Sequence, residues 1–198
     1  MRLRYANHRY HQPVIATMTL RELCQQYASQ GRVEAIILRP ARGESAVRVD
    51  EVRAEPGCGL LGDRRANKAG GRRSSKRELT LLQAEHLPLL ASWCGLATLD
   101  PIRLRRNLLV SGLNLLALRS PFADLQLEWA LGDEVVIQVT GPCDPCSKMA
   151  AELGMGSYNA LRGHGGVTAR IITGGVIRVG DSVRLSAANR LEVKAKSL

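Results

Sequence analysis

The sequence predicts a mainly β, barrel-like, antiparallel fold with a few short α-helices. Apolar residues recur at alternate positions in several short runs, which is typical of half-buried strands. Glycine-containing turns separate such runs at 131–133, 174–175 and 179–181, and turns of this kind commonly join antiparallel hairpins. No G-x-x-x-x-G-K-[ST] phosphate-binding loop is present. The pattern therefore favours a barrel or sandwich over a doubly wound α/β sheet.

Helix-start signals and period-two patterns define the first half of the chain. Thr19 and Glu22 carry the residue types of a capping box and predict a helix over residues 20–28. Short runs rich in Val, Ile and Leu then predict strands. These strands cover residues 33–38, 46–52 and 79–83, and a glycine-rich basic loop over 55–76 separates the last two.

Helix signals are few in the second half. Residues 84–93 are predicted as a helix, in which Pro88 is tolerable only near the first turn. Asp100-Pro101 predicts a single helical turn, because Asp caps well and Pro suits the first helical position. A further helix is predicted over Cys146–Leu153. The remaining strands are predicted over 107–110, 125–129, 134–140, 168–172 and 182–185.

The length of 198 residues suits one hydrophobic core with small additions. We expect an N-terminal tail and helix over residues 1–30, a β-barrel domain over 31–187 and a C-terminal tail over 188–198. No apolar run approaches the roughly 18–20 residues that a membrane span needs, and the basic N-terminus lacks the apolar centre of a secretory signal. Five scattered cysteines do not resemble a secreted disulfide framework. The sequence therefore predicts a cytoplasmic protein.

A formal net charge of +10 predicts an anionic partner. The segment Gly62–Arg77 carries seven cations against one acid, Asp63. Such a cluster is either a solvated loop or a surface that binds an anion. Nucleic acid is one such anion, but no aromatic side chain interleaves the cluster to stack on bases. Nucleic-acid binding therefore remains an alternative of a different class.

Two thiols follow a predicted strand in the sequence Cys143-Asp144-Pro145-Cys146, with Lys148 beside them. The unpaired N–H groups and positive dipole end of a helix start favour thiolate over thiol. Because the thiolate is the form that attacks electrophiles and binds soft metals, Cys146 is the candidate reactive group. The structural alternative is that both cysteines act as small hydrophobic residues.

A C-x-x-C pair has three chemical interpretations. A zinc site needs about four ligands, and only His164, Cys58 or Cys94 could extend this pair, at unfavourable spacing. A redox pair is usually found in a βαβ context, which this chain lacks elsewhere. A single nucleophilic or metal-ligating thiolate at Cys146 fits best, and a soft thiolate suits a redox-active metal. Cys143 is then a helper, a resolving thiol or a bystander.

Two further segments have the chemistry of oxyanion binding. Arg105, Arg106 and Asn107 follow one another, and planar guanidinium groups give paired hydrogen bonds to phosphate. In a tight turn, Asp63 can orient the adjacent Arg64, although a purely structural ion pair is an equally good interpretation. The glycines around His164 indicate a tight turn or a close backbone approach, and His164 is interpreted as a loop residue rather than a ligand.

The motifs, taken in order, resemble the MOSC family, which is named for the C-terminal domain of molybdenum-cofactor sulfurase. Each motif is weak alone, but the ordered set spans about residues 32–185. The matching segments are Gly59–Arg64, Leu79–Glu85, Arg105–Gly112, Gly132-Asp133, Gly141–Cys146, Gly165–Arg170 and Gly174–Asp181.

This resemblance implies a MOSC-type barrel that binds the molybdenum cofactor (molybdopterin). It implies that Cys146 ligates molybdenum or carries sulfur. Cys143 is a departure from the family pattern, so it is a catalytic candidate beside Cys146 without an assigned role. The groups expected to bind the cofactor are Arg105, Arg106, Asn107, Asp63, Arg64 and Lys148. The implied activity is two-electron reduction of N-hydroxylated substrates.

The chain has no C-x4-C-x2-C array for an iron–sulfur cluster. Electrons are therefore expected from a separate ferredoxin- or flavin-type reductase. The alternative is a carrier that holds sulfur as a Cys146 persulfide, or delivers the cofactor, without turnover of a small substrate.

Overall fold

Eleven β-strands and four short α-helices form within residues 18–66 and 75–190, which the computed structural model describes. The strands are β1 (Gly31–Leu38), β2 (Val47–Val49), β3 (Glu51–Glu55), β4 (Gly59–Leu60), β5 (Leu79–Gln83), β6 (Leu108–Ser111), β7 (Leu125–Leu131), β8 (Val135–Pro142), β9 (Val167–Thr173), β10 (Gly175–Arg178) and β11 (Ser182–Arg190). The helices are α1 (Leu20–Leu23), α2 (His86–Trp93), α3 (Ser147–Leu153) and α4 (Ser157–Leu161), with two 3-10 turns at Pro101–Leu104 and Leu115–Leu118. Most of the predicted terminal tails lies outside the described residues.

Seven strands close into a barrel in the order β11-β7-β8-β9-β5-β6-β1, because β1 also pairs with β11. Strand β2 lies beside β1 outside the closed ring. The predicted mainly β barrel is confirmed. One refinement is that β5 and β6 pair in parallel, whereas the other barrel pairs are antiparallel. The chain between β5 and β6 passes through α2 and a 3-10 turn, and a parallel pair requires a long crossover of this kind.

The barrel interior is filled by aliphatic side chains around one large aromatic residue. Trp129 on β7 is fully buried, and its indole N–H donates to the carbonyl oxygen of Leu118 at 2.9 Å. Tyr27 meets the Trp129 ring edge-to-face at 4.7 Å between centroids. A buried Trp needs both a packing surface and an N–H acceptor, and this arrangement supplies both.

A second, smaller apolar cluster packs the helices against the barrel. It includes Leu90 of α2, Leu104 of the first 3-10 turn, Met149 of α3 and Leu161 of α4, together with Leu82 of β5. This cluster holds α3 in place and therefore fixes the segment that immediately precedes it, Cys143–Cys146.

A separate three-stranded sheet, in the order β10-β3-β4, explains two differences from the predicted strands. The single strand predicted over 46–52 is two strands divided at Asp50, because β2 pairs with β1 whereas β3 pairs with β10. Of the three predicted hairpin turns, only the turn at 131–133 joins strands that pair with each other. The turns at 174–175 and 179–181 carry the chain from the barrel to the small sheet and back.

The predicted first helix is shorter than expected. Thr19 and Glu22 form the predicted capping box, with reciprocal hydrogen bonds, but α1 ends at Leu23 rather than near residue 28. The chain leaves the helix there, and the Tyr27 hydroxyl donates to the carbonyl oxygen of Ala117 at 2.7 Å. The hydrogen bond and the ring contact of Tyr27 on the barrel therefore stabilise the chain more than a continued helix would.

Most other predicted elements occur close to their expected positions. Strand β5 matches its predicted bounds, and the Asp100 side chain accepts from the Ile102 N–H as the predicted cap of a helical turn. Strand β11 continues to Arg190, beyond the predicted end of the barrel domain. Residues 57–62 have the spacing G-x-G-x-x-G but lead through β4 into a turn rather than into a helix, so they do not form a dinucleotide-binding loop. Among the described helices, none has the length and apolar character to cross a bilayer.

The backbone at Gly166 approaches β5 so closely that a side chain does not fit, which gives the first prediction. Gly166 has φ +88°, and a Cβ added there would lie 2.0 Å from the Leu81 carbonyl oxygen. Gly43 has a similar φ of +93° with no atom within 4 Å of the added Cβ, so it is a matched control. We expect Gly43→Ala to lower the free energy of unfolding by about 1–2 kcal/mol through its positive φ alone. Gly166→Ala should lower it by about 1–3 kcal/mol more through overpacking.

Urea denaturation of both variants measures this difference. If Gly166→Ala and Gly43→Ala lower the free energy of unfolding equally, the close approach of the 165–166 segment to β5 is contradicted.

Candidate functional site

The cysteine segment Cys143–Cys146 connects the end of β8 to the start of α3. The Cys143 N–H donates to the carbonyl oxygen of Gly166 at 2.8 Å, and the Cys143 side chain is 4% exposed. Cys146 is the N-cap residue of α3, is exposed, and makes no side-chain capping hydrogen bond. Of these two thiols, therefore, Cys146 is the one open to a ligand.

Arg106 fixes this segment from inside the protein. The residue is 5% exposed. Its Nη2 donates to the carbonyl oxygens of Cys143 and Asp144 at 3.0 and 3.3 Å, its Nε donates to that of Gly165 at 2.6 Å, and its Nη1 donates to that of Leu104 at 3.2 Å. Burial of the guanidinium group, with the positive charges of Arg39 and Arg77 nearby, lowers the pKa of Arg106 from its usual value. The prediction that Arg106 contacts a phosphate therefore needs correction, because its nitrogens donate to backbone carbonyls and the side chain is buried.

The glycines after His164 allow the close approach that the sequence predicted. A Cβ added at Gly165 would lie 2.2 Å from the Cys143 carbonyl oxygen and 3.2 Å from Arg106 Nη2. The ring of His164 packs edge-to-face against those of His86 and Trp93, with centroids 4.9 and 5.1 Å apart. His164 therefore lies in a packed loop, as predicted.

A second buried network lies beside Arg106 and is centred on Asp63. The Asp63 carboxylate accepts from Arg39 Nε at 2.9 Å and from Arg39 Nη2 at 3.3 Å. It also accepts from the Arg65 N–H at 3.0 Å and from Asn107 Nδ2 at 3.1 Å. The predicted orienting role of Asp63 therefore applies to Arg39 rather than to Arg64. Asp63 itself is 2% exposed, so it does not face a ligand. It holds the Arg39 side chain and the Arg65 backbone in place instead.

Asn107 belongs to the same network. It was predicted to bind the cofactor, but its side chain bonds to protein atoms. Its Oδ1 accepts from the Thr80 N–H, the Thr80 hydroxyl and Arg39 Nη2, and its Nδ2 donates to the Ile37 carbonyl oxygen as well as to Asp63. The residue is 2% exposed, so it joins β1, β5 and β6 instead of facing a phosphate.

Arg105 makes the sharp turn that brings these two residues inside. Its φ of 58° is left-handed, a conformation that no other non-glycine residue within 18–66 and 75–190 adopts. The Arg105 carbonyl oxygen accepts from Arg39 Nη1 at 3.0 Å. Strain of this type persists only where the surroundings hold it, and here Arg39 holds the turn.

The electrostatics of the Asp63 network favour the charged carboxylate. Burial alone raises the pKa of Asp63, but the hydrogen bonds and charge of Arg39, with the N–H groups of Arg65 and Arg39, bring it below its usual value. Arg39 is consequently held in one orientation by an ionised partner at neutral pH.

In front of this network lies a surface depression of about 600 Å3, here called the cationic cleft. Among the described residues, seven line this cleft, of which five are cations and none is an acid. Its lining residues are Arg39, Pro40, Ala41, Arg42, Arg64, Arg65 and Lys148. Partial desolvation lowers the pKa of Arg65, and the charges of Arg77 and Arg39 lower it further. A concave surface with this charge attracts oxyanions.

The cleft brings together two of the predicted cofactor-binding residues, Arg64 and Lys148. Lys148 is the second residue of α3, so the cleft extends to the helix that Cys146 caps. The sequence interpretation did not assign Arg39, Arg42 or Arg65 to the site. The available signal was the pair Arg39 and Arg42, which flank Pro40-Ala41 directly after the largely buried strand β1.

The described ends of the predicted basic segment Gly62–Arg77 lie at the cationic cleft and at one of the two thiols: Arg64 and Arg65 line the cleft, and Arg77 contacts Cys143. Arg77, at its end, donates from Nη2 toward Cys143 Sγ at 3.8 Å. Residues 67–74 of this segment lie outside the described residues.

Across 18–66 and 75–190, no group of three or more His, Cys, Asp and Glu side chains could hold a metal ion.

A family model for the MOSC domain matches residues 65–184. No curated protein sequence matches the chain. Among solved structures, the YuaD protein from Bacillus subtilis is similar with a TM-score of 0.60 and 17% sequence identity, over 81% of this chain and 97% of that chain.

Two YiiM structures show the same likeness. YiiM from Geobacillus stearothermophilus has a TM-score of 0.58 at 18% identity, over 79% of this chain and 75% of its own. YiiM from Escherichia coli has a TM-score of 0.55 at 19% identity, over 79% and 70%. At these identities the likeness concerns the fold.

The buried Asp63–Arg39 pair gives a prediction on stability. Removing one partner of a buried ion pair costs about 3–5 kcal/mol, because the other charge is left uncompensated. We expect Asp63→Asn to lower the free energy of unfolding at pH 7 by about this amount. Glu152→Gln breaks the exposed Arg103–Glu152 pair (3.0 Å, side chains 33% and 50% exposed) and should cost no more than about 1 kcal/mol.

The same pair predicts the direction of the pH dependence. The folded-state pKa of Asp63 is below its unfolded-state value. The ionised carboxylate therefore adds to the free energy of unfolding above about pH 4, and this stabilisation is lost as the pH falls through the folded-state pKa. Chemical denaturation at pH 7, 4 and 3 checks this. An Asp63→Asn variant that loses stability with acid as steeply as the wild type would contradict it.

Proposed function

The chain belongs to the MOSC domain family, and on that premise we propose that it binds the molybdenum cofactor at the candidate site. In this proposal Cys146 supplies the thiolate ligand of the metal, and the cationic cleft binds the phosphate of the pterin. The observation that carries the proposal is the joint position of an exposed thiol at the start of α3 and a cleft that reaches Lys148 on the same helix.

The residues present suit this cofactor. A soft thiolate is a good ligand for a soft, redox-active metal, and Cys146 has no competing side-chain capping bond. The described residues offer no three-ligand protein cluster, so a metal that arrives with its own cofactor ligands suits a site with a single thiol. Guanidinium groups such as those of Arg42, Arg64 and Arg65 bind phosphate oxygens in pairs.

The buried groups then have a positioning role. Arg106 holds the Cys143 and Asp144 carbonyls and so limits where Cys146 can lie. Asp63 holds Arg39 toward the cleft. Cys143 is buried beneath Arg77, so in this proposal it supports the loop and does not contact the substrate.

When bound, the cofactor would supply two-electron redox chemistry. We propose the reduction of an N-hydroxylated substrate, in which the N–O bond breaks and the oxygen leaves as water. The substrate gains two electrons and two protons in this step. The electrons come from a separate ferredoxin- or flavin-type reductase.

The exposure of Cys146 also favours a second candidate function. A thiol that is open to solvent and has no hydrogen-bonding duty could carry sulfur as a persulfide. In that case the chain would hold sulfur or deliver cofactor without turning over a small substrate.

Removal of the Cys146 thiol tests the metal-ligand role. Protein would be produced in a host that makes the cofactor, and molybdenum would be measured by mass spectrometry in wild type, Cys146→Ser and the control Cys58→Ser. We expect Cys146→Ser to lose at least about tenfold in molybdenum, since even outer-shell changes reach that scale. Cys58→Ser should resemble wild type. Equal occupancy in Cys146→Ser and wild type would remove the thiol from the proposal.

Benzamidoxime reduction with an added reductase separates the two candidate functions. Turnover by wild type that is lost in Cys146→Ser supports the reductase. Bound molybdenum without reduction by any donor tested supports the carrier.

Removal of cleft charge tests the phosphate site. A hydrogen bond to a charged group contributes about 1.5–3 kcal/mol, so the pair Arg42→Gln and Arg65→Gln should weaken cofactor retention by about tenfold or more. The control is Arg32→Gln, on an exposed β1 residue outside the cleft. Retention would be measured as the pterin fluorescence released on oxidation of the purified protein. Full retention in the double variant would place the phosphate elsewhere.

A further inference from the structure

A second depression, here called the outer cleft, lies on the outer side of β7, β8 and β9. Its volume is about 330 Å3, and it shares no lining residue with the cationic cleft. Half-buried Gln126, Gln138 and Arg170 alternate with buried core residues on these strands, so they point away from the barrel interior. The loop over 119–123 forms the opposite wall.

The charge of the outer cleft is positive. Lys76, Arg119 and Arg170 line it, and no acid does so in the part of the chain that the structure describes. Ion pairs form elsewhere within 18–66 and 75–190, but none of them includes these three side chains. Three cations that face one concavity without an internal counterion indicate a site for an external anion.

The main evidence for an anion site in the outer cleft comes from Arg170. Its Nε is buried and has no hydrogen-bond partner among the described residues. A buried donor without an acceptor is costly and needs an explanation. Gln138 is the cross-strand neighbour of Arg170, and its amide is a further polar group at the same place. Arg170 as a whole is only half-buried and lines the outer cleft, so an oxyanion that binds its accessible part and draws the side chain toward it would supply the missing acceptor.

The far wall is held in place without a ligand. Arg119 directly follows Leu118, whose carbonyl oxygen accepts from the buried Trp129 indole. The Phe122 N–H donates to the Ser120 hydroxyl at 3.0 Å, and the Arg21 guanidinium lies 4.3 Å from the centre of the Phe122 ring. Lys76 is held by its carbonyl oxygen, which accepts from the Thr140 hydroxyl. The backbone that carries Arg119 and Lys76 and the ring of Phe122 are therefore held in place by contacts within the protein.

We propose that the outer cleft binds a small organic oxyanion. Its phosphate or carboxylate head lies against Arg170, Arg119 and Lys76, and its apolar body lies against Phe122. The volume is at the low end of the range for small-molecule sites, which is about 300–1,000 Å3, and this favours a small ligand. The site does not depend on the proposed cofactor or on Cys146.

Calorimetric titration with phenyl phosphate at low salt tests the proposal. The variants are Arg170→Gln and Arg119→Gln on the exposed loop, with Arg32→Gln, at an exposed residue outside both clefts, as the control. Arg42→Gln reports any binding of the same ligand in the cationic cleft. We expect each outer-cleft variant to weaken binding in the outer cleft by about tenfold, the effect of one charge-assisted hydrogen bond, and Arg32→Gln to leave it unchanged. Arg119→Gln keeps the test valid if Arg170→Gln fails to fold, which thermal melting would show.

Nuclear magnetic resonance locates the ligand independently. The Arg170 Nε–H signal should shift on addition of phenyl phosphate, and benzoate in place of phenyl phosphate distinguishes a carboxylate head from a phosphate head. Binding by either head, if lost in the outer-cleft variants, supports the site. Binding lost in Arg42→Gln but kept in Arg170→Gln and Arg119→Gln would overturn it, as would inorganic phosphate binding as tightly as both organic ligands.

Discussion

The burial of one guanidinium group constrains the whole candidate site. A charged side chain leaves water only if its donors find acceptors, and Arg106 finds them in the carbonyls of Leu104, Cys143, Asp144 and Gly165. These carbonyls belong to three separate segments of the chain. Because one planar group bonds to all three, the segment with the two thiols, the Gly165 loop and the 3-10 turn before β6 are fixed relative to one another.

The site is divided between buried positioning groups and exposed groups that can meet a ligand. Asp63, Arg106 and Asn107 are 2–5% exposed and donate to or accept from protein atoms. Cys146 is exposed, and the cleft cations Arg42, Arg64, Arg65 and Lys148 surround an open volume. The buried layer keeps the exposed layer in a defined geometry, which is what binding of a rigid phosphorylated cofactor requires.

The sequence was sufficient to predict the elements that depend on residues close together in the chain. Strand β5, the Asp100 cap, the Thr19 capping box and the start of α3 each depend on residues within a few positions of one another, and each lies where it was predicted. The role of Arg39 was not accessible, because its partners Asp63 and Asn107 are 24 and 68 positions away. For the same reason, the sequence could not show which of Arg105 and Arg106 enters the interior. The division of residues 46–55 into two strands depended on pairing with β10, which is also distant in the chain.

We propose that the Cys146 thiol and the cationic cleft bind the same cofactor. A crystal structure of the protein purified from a cofactor-producing host is the sharpest test of this proposal. We expect molybdenum at bonding distance from Cys146 Sγ, with the pterin phosphate in hydrogen-bond contact with arginines of the cationic cleft. Molybdenum bound away from Cys146, or a phosphate outside that cleft, would contradict the account.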